Sequence, residues 1–129
     1  MTGDTEQLKL VPSRDVGRFV RAYAQGDTVF QQGSRGTSMY VILDGRVRIQ
    51  RLGVAGSETL SELGPGEFFG EMALVDSGTR IAAAVAFSDN TRLAEIDRAR
   101  FIYLVSQQPA FSLTVMRVLS QRLARAQSV

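Results

Sequence analysis

Two hydrophobic rhythms divide the chain. From about Arg18, short apolar runs are separated by glycines: Arg18–Tyr23, Thr28–Phe30, Ser38–Leu43, Arg46–Leu52, Glu58–Leu63, Ile81–Phe87 and Thr91–Ile96. Gly26, Gly33, Gly45, Gly56, Gly66 and Gly78 punctuate these runs, at roughly the 8–12 residue spacing of sandwiches and barrels. Asp44-Gly45, between two apolar runs, predicts a two-residue hairpin, a turn that needs positive φ at both centres. In the run after it, Arg46 and Arg48 alternate with Val47 and Ile49, so one face meets a core and the other meets water. After Ile96 the period becomes helical. Asp97 is a good N-cap, Phe101, Leu104 and Val105 follow at helical spacing, and Pro109 ends the run. A second helix from about Ala110 carries the apolar stripe Leu113, Met116, Leu119 and Leu123. That stripe is expected to pack on the barrel, with a dimer seam or a cover over a ligand as its other uses. The pattern predicts a mainly β fold, an eight-stranded jelly-roll (double-stranded β-helix) barrel with C-terminal helices.

A length of 129 residues supports one core and little more. We expect residues 1–17 to be an N-terminal segment, partly disordered or helical, and residues 18–129 to form the domain. No cysteine and no histidine occur, which removes disulfides, thiolate chemistry, the usual general base and the commonest metal ligand. Net charge is only +2, too small for a nucleic-acid footprint. Lys9 is the single lysine; the remaining cations are arginines, a bias that genome composition explains as well as function does. No long apolar run or signal-like start is present, so we expect a cytoplasmic protein without membrane contact.

The chemistry concentrates in Phe69-Gly70-Glu71-Met72-Ala73-Leu74-Val75, with Arg80 nine residues after Glu71 and Ala82-Ala83-Ala84 just beyond. A carboxylate accepts from hydroxyls, and a guanidinium pairs with phosphate oxygens in a charge-assisted fork. A ligand carrying both a sugar hydroxyl and a phosphate satisfies the two together. The alternative is that Glu71 and Arg80 simply pair with each other, a contact of about 0–1 kcal/mol if exposed.

The segment resembles the phosphate-binding cassette of cyclic nucleotide-binding domains, shared by catabolite activator proteins, cyclic nucleotide-dependent kinase regulatory subunits and cyclic nucleotide-gated channels. Tyr23–Gly33 resembles the family's opening strand and turn, Ser38–Val47 its central hairpin, Gly64–Leu74 its cassette with a short helix, and Asn90–Phe101 its last strand and following helix. The resemblance implies that Glu71 accepts from the ribose 2′-hydroxyl and that Arg80 pairs with the cyclic phosphate. Gly70 and Ala73 would present backbone N–H groups, with Met72 between them in the cassette and Ala82 just after the arginine. Ile49, Leu60 and Phe69 would line the purine pocket, with Ser61 at its edge; plain core is the competing reading for these apolar residues.

One departure stands out. The family commonly has Ser, Thr or Ala after the arginine, often with another hydroxyl two residues later; here Ile81 and Ala83 carry none. The expected ligand is therefore cAMP, with cGMP second, and no cofactor or metal is expected. The expected function is a non-enzymatic sensor that transmits occupancy to a protein effector, not identified by the sequence, through its C-terminal helices. The alternatives are a degenerate docking domain without nucleotide binding, or the sensor part of a catabolite-activator-like transcription regulator. The chain stops at Val129, with no helix-turn-helix after the long helix, so DNA contact by this chain is not expected. A cupin-like enzyme is disfavoured by the lack of histidine.

Overall fold

A computed structural model describes residues 19–76 and 78–127. The expectation for residues 1–17 lies outside them. Eight strands form: β1 (Val20–Tyr23), β2 (Thr28–Phe30), β3 (Ser38–Asp44), β4 (Val47–Gly53), β5 (Gly56–Leu63), β6 (Phe68–Phe69), β7 (Ala83–Ala86) and β8 (Thr91–Asp97). Helix α1 (Met72–Val75) lies between β6 and β7, and α2 (Arg98–Gln107) and α3 (Pro109–Gln127) close the chain. No described helix is long and apolar enough to cross a membrane.

The strands make two antiparallel four-stranded sheets, ordered β1-β8-β3-β6 and β2-β7-β4-β5. This is a jelly roll of two sheets rather than a closed barrel. β3 is buried on both faces, because successive side chains in a strand point to opposite sides. Met39, Val41 and Leu43 join Phe68, Leu74, Ala94, Ile96, Leu104, Phe111 and Val115 in a core between one sheet and the helices. Tyr40 and Ile42 join Val47, Phe69, Ala84 and Leu93 in a second core between the two sheets.

The structure corrects the turn expected at Asp44-Gly45. β3 and β4 lie in different sheets, so this is a crossover and not a hairpin. Gly45 does have φ +86°, but Asp44 is not left-handed. Gly45 is required by proximity as well: a Cβ there would fall 2.7 Å from the Thr91 Cα. The true hairpin joins β4 to β5, where Gly53 pairs with Gly56. Local turn chemistry marks a reversal but carries no information about which strands then pair.

Asp97 caps α2 as expected, its carboxylate accepting from the Arg100 N–H at 2.8 Å. The face assigned to α3 is corrected. Phe111, Val115 and Val118 seat the helix, while Leu113 and Met116 are 65% and 60% exposed and Leu119 and Leu123 are exposed too. α3 has two apolar faces; the one bearing the aromatic ring docks, next to Phe101 on α2 with ring centroids 5.5 Å apart.

Candidate functional site

Arg80 sits in the segment between α1 and β7 and is only 8% exposed. Its Nη2 donates to the Ser38 carbonyl at 2.8 Å and its Nη1 to the Gly70 carbonyl at 3.2 Å. The guanidinium carbon stands 4.1 Å from the centre of the Phe30 ring. Phe30 in turn packs on Tyr40 and Phe69 at 5.9 Å from each, and Tyr40 stacks on Phe69 at 5.4 Å. Among the described residues no carboxylate bonds this guanidinium, and its buried Nε has no partner. A buried polar group left unpaired is uncommon and costs about 1–3 kcal/mol. Burial draws the Arg80 guanidinium below its ordinary pKa, opposed by Tyr40 and then Glu95. Burial also pushes the Tyr40 phenol up to about 12, with Glu95 adding to the shift.

Glu71 is the N-cap residue of α1, yet its side chain makes no capping bond. Its carboxylate turns outward to Arg122 of α3, whose Nη1 lies 3.4 Å from Oε1. Arg122 also donates through Nη2 to the Phe68 carbonyl and sits over the Phe68 ring at 4.7 Å. A mutual Glu71–Arg80 pair is therefore not what forms: each charge has other neighbours. Arg98, at the start of α2, donates from Nε to the Leu74 carbonyl of α1 at 2.9 Å. Both helices thus grip the short cassette helix, one at each end.

Gly70 is left-handed, with φ +77°, and a Cβ there would lie 2.9 Å from the Arg80 Nη1. The Ala73 N–H, expected to face an anion, donates to the Gly70 carbonyl at 3.2 Å. Ala73 and Ala82 are buried and Met72 is exposed. Ile81 is 76% exposed and packs in neither core. Among the expected purine-pocket residues, Ile49 and Phe69 belong to the core between the sheets. Ser61 pairs with Ile49 across β4 and β5, and Leu60 falls at the register shift between Ile49 and Gln50. Such a bulge leaves one residue unpaired and re-aims it. Leu60 and Ser61 are exposed on the edge strand, whereas Phe69 is buried and Ile49 half-buried.

Phe30, Gly36, Arg98 and Arg122 escaped the sequence reading. Each acts through a contact distant in the chain, and each has an ordinary structural role in a linear sequence.

The sequence matches the family described as Cyclic nucleotide-binding domain over residues 20–108. It is 41% identical over 107 residues to the Cyclic AMP receptor protein of Thermus thermophilus, covering 82% of this chain and 49% of that protein. It is 34% identical over 104 residues to a CRP-like cAMP-activated global transcriptional regulator of Mycobacterium tuberculosis, covering 80% and 46%. The structure is similar to that of the Thermus thermophilus Catabolite Activator Protein, with TM-score 0.76 and 34% identity, covering 94% of this chain and 59% of that one. The chain thus spans about half the length of these two curated relatives.

Proposed function

The chain belongs to the cyclic nucleotide-binding domain family, and from that premise we propose that it is a sensor domain taking cAMP in preference to cGMP. The observation that carries this reading is Arg80: a buried cation bonded to two neutral carbonyls, with a donor left over and, among the described residues, no carboxylate to neutralise it. The two carbonyls leave the charge of the guanidinium uncompensated, whereas an anion attracts it directly, so the spare donor suits a cyclic phosphate. Glu71, free of helix capping, is the acceptor for the ribose 2′-hydroxyl. Gly70, Met72, Ala73 and Ala82 shape the cassette around the phosphate, and Ile49, Leu60, Ser61 and Phe69 contact or border the purine. Ile81 and Ala83 have no hydroxyl for the amino group of guanine, which favours adenine.

Occupancy passes to the helices through Glu71 and α1. A hydroxyl arriving at Glu71 competes with the long contact from Arg122, and any shift of α1 pulls on Arg98 through the Leu74 carbonyl. The ligand moves this equilibrium only by its differential affinity for the two arrangements. The exposed stripe of α3 is the surface for an effector or a second copy. No chemical step is involved. The likeness to a CRP-like cAMP-activated global transcriptional regulator favours a second reading, in which the same site governs transcription.

Calorimetric titration of nucleotide-stripped protein tests the proposal. Saturable binding of both nucleotides, tighter for cAMP, is expected. No binding of either overturns the sensor reading in favour of a docking domain; equal or reversed affinities overturn only the base preference.

A further inference from the structure

One loop, residues 31–37 between β2 and β3, lies along both the backbone and the guanidinium of Arg80. The Arg80 N–H donates to the Ser34 carbonyl at 2.7 Å, and the Arg80 carbonyl accepts from the Gly33 N–H at 2.8 Å. Arg35 bridges to Thr79 in antiparallel fashion. Where the loop enters β3, Ser38 supplies the carbonyl that holds Nη2. Between these points lies Gly36. A Cβ built on Gly36 falls 2.6 Å from the Arg80 Cζ and closer still to Nε and Nη2.

The two glycines of this loop serve different ends. Gly33 is left-handed, with φ +86°, and a Cβ there would meet nothing within 4 Å, so its task is the turn itself. Gly36 is not left-handed, so its backbone suits any residue. The three atoms nearest to its missing Cβ all belong to the Arg80 guanidinium. What the position demands is space, and the space is for that one group.

We propose that Gly36 is a positioning residue for the phosphate-binding arginine: its bare Cα lets the guanidinium lie against the loop, fixed by Ser38 and Gly70, with Nε kept for the ligand. The proposal rests on Arg80 being the phosphate ligand. A methyl group at position 36 drives the guanidinium off both carbonyls and away from the cassette. A flexible side chain that yields in a surface contact has less freedom here, because the buried guanidinium lies 4.1 Å from the centre of the Phe30 ring and is bonded at both end nitrogens.

The test is a double-mutant cycle on Gly36→Ala, Arg80→Ala and the pair, reading cAMP affinity by calorimetry and thermal midpoint on the same samples. Gly36→Ala is expected to weaken cAMP binding by about tenfold or more, the loss of one charge-assisted bond, and to lower the midpoint. With Arg80 already removed, Gly36→Ala should change neither. Wild-type affinity in Gly36→Ala, or an equal fall in midpoint with and without Arg80, overturns the proposal. If Arg80→Ala alone binds as wild type does, the cassette reading fails, while the midpoint comparison still decides whether Gly36 holds the guanidinium. Should Arg80→Ala not fold, arginine side-chain NMR decides. The protected Arg80 Nε–H resonance, assigned by its absence in Arg80→Lys, must shift or vanish in Gly36→Ala; an unchanged resonance overturns the inference.

Discussion

Arg80→Lys separates charge from geometry at the centre of the site. The guanidinium spans two carbonyl acceptors, Ser38 at 2.8 Å and Gly70 at 3.2 Å, while its face covers Phe30. A lysine ammonium keeps the charge but is a point donor on a flexible stem, and it serves one of the two carbonyls at best. The shorter bond to Ser38 is the stronger, so Gly70 is the acceptor left alone. Losing one bond to a charged donor costs about 1.5–3 kcal/mol of folding stability. The phosphate suffers similarly, since an ammonium cannot reproduce the planar fork; about tenfold to a hundredfold weaker cAMP binding follows from the same range. Arg80→Ala, without charge, should bind more weakly still. Urea midpoints at unchanged slope give the stability term, and calorimetry gives the affinity term. Equal affinity for Lys and Arg would refute the fork; equal affinity for Lys and Ala would refute any role for the cation.

Two further outcomes follow from burial. Ile81→Ser should leave stability within about 0.5 kcal/mol, because the side chain is exposed and opens no cavity. It should also tighten cAMP binding by about 0.5–1.5 kcal/mol, the net value of one hydrogen bond; calorimetry showing no gain means the hydroxyl does not reach the phosphate. Tyr40 is held neutral, its pKa near 12 against an ordinary 10.0. The unfolded chain therefore loses this proton first, so stability is intact below pH 10 and falls by about 2–3 kcal/mol as pH rises towards 12. Urea denaturation at stepped pH should show this fall reduced in Tyr40→Phe; an identical fall in both proteins assigns it elsewhere.

Much of the architecture was legible in the chain because glycine punctuation and period-two runs are local signals. Seven of the eight strands were marked this way, and Asp97 announced α2. The eighth, β6, has two residues and lies inside the cassette, too short for any periodicity. Pairing was less legible: Asp44-Gly45 carries a strong reversal signal, and only tertiary packing turns it into a crossover between sheets. The face of α3 failed for a related reason. Leu113, Met116, Leu119 and Leu123 make as good a helical stripe as Phe111, Val115 and Val118, and only tertiary packing, against the sheet and α2, distinguishes them. At the candidate site, Glu71 and Arg80 stand out in the sequence through their chemistry. Phe30, Gly36 and Arg122 were not, since a ring, a missing side chain and a surface arginine acquire meaning only beside their partners.

β3 has a consequence for how such a domain can change over generations. Its alternate residues belong to two different interiors separated by the thickness of one strand. Tyr40 and Ile42 can be altered to reshape the space beside the arginine, and Met39, Val41 and Leu43 to reset the seat of the helices. The two adjustments are separable in principle because they use different letters of one seven-residue word. A single inserted or deleted residue, however, exchanges both sets at once, so this strand admits substitutions but not changes of length. The space beside Arg80 and the seat of the helices can therefore drift independently while the wall between them stays fixed.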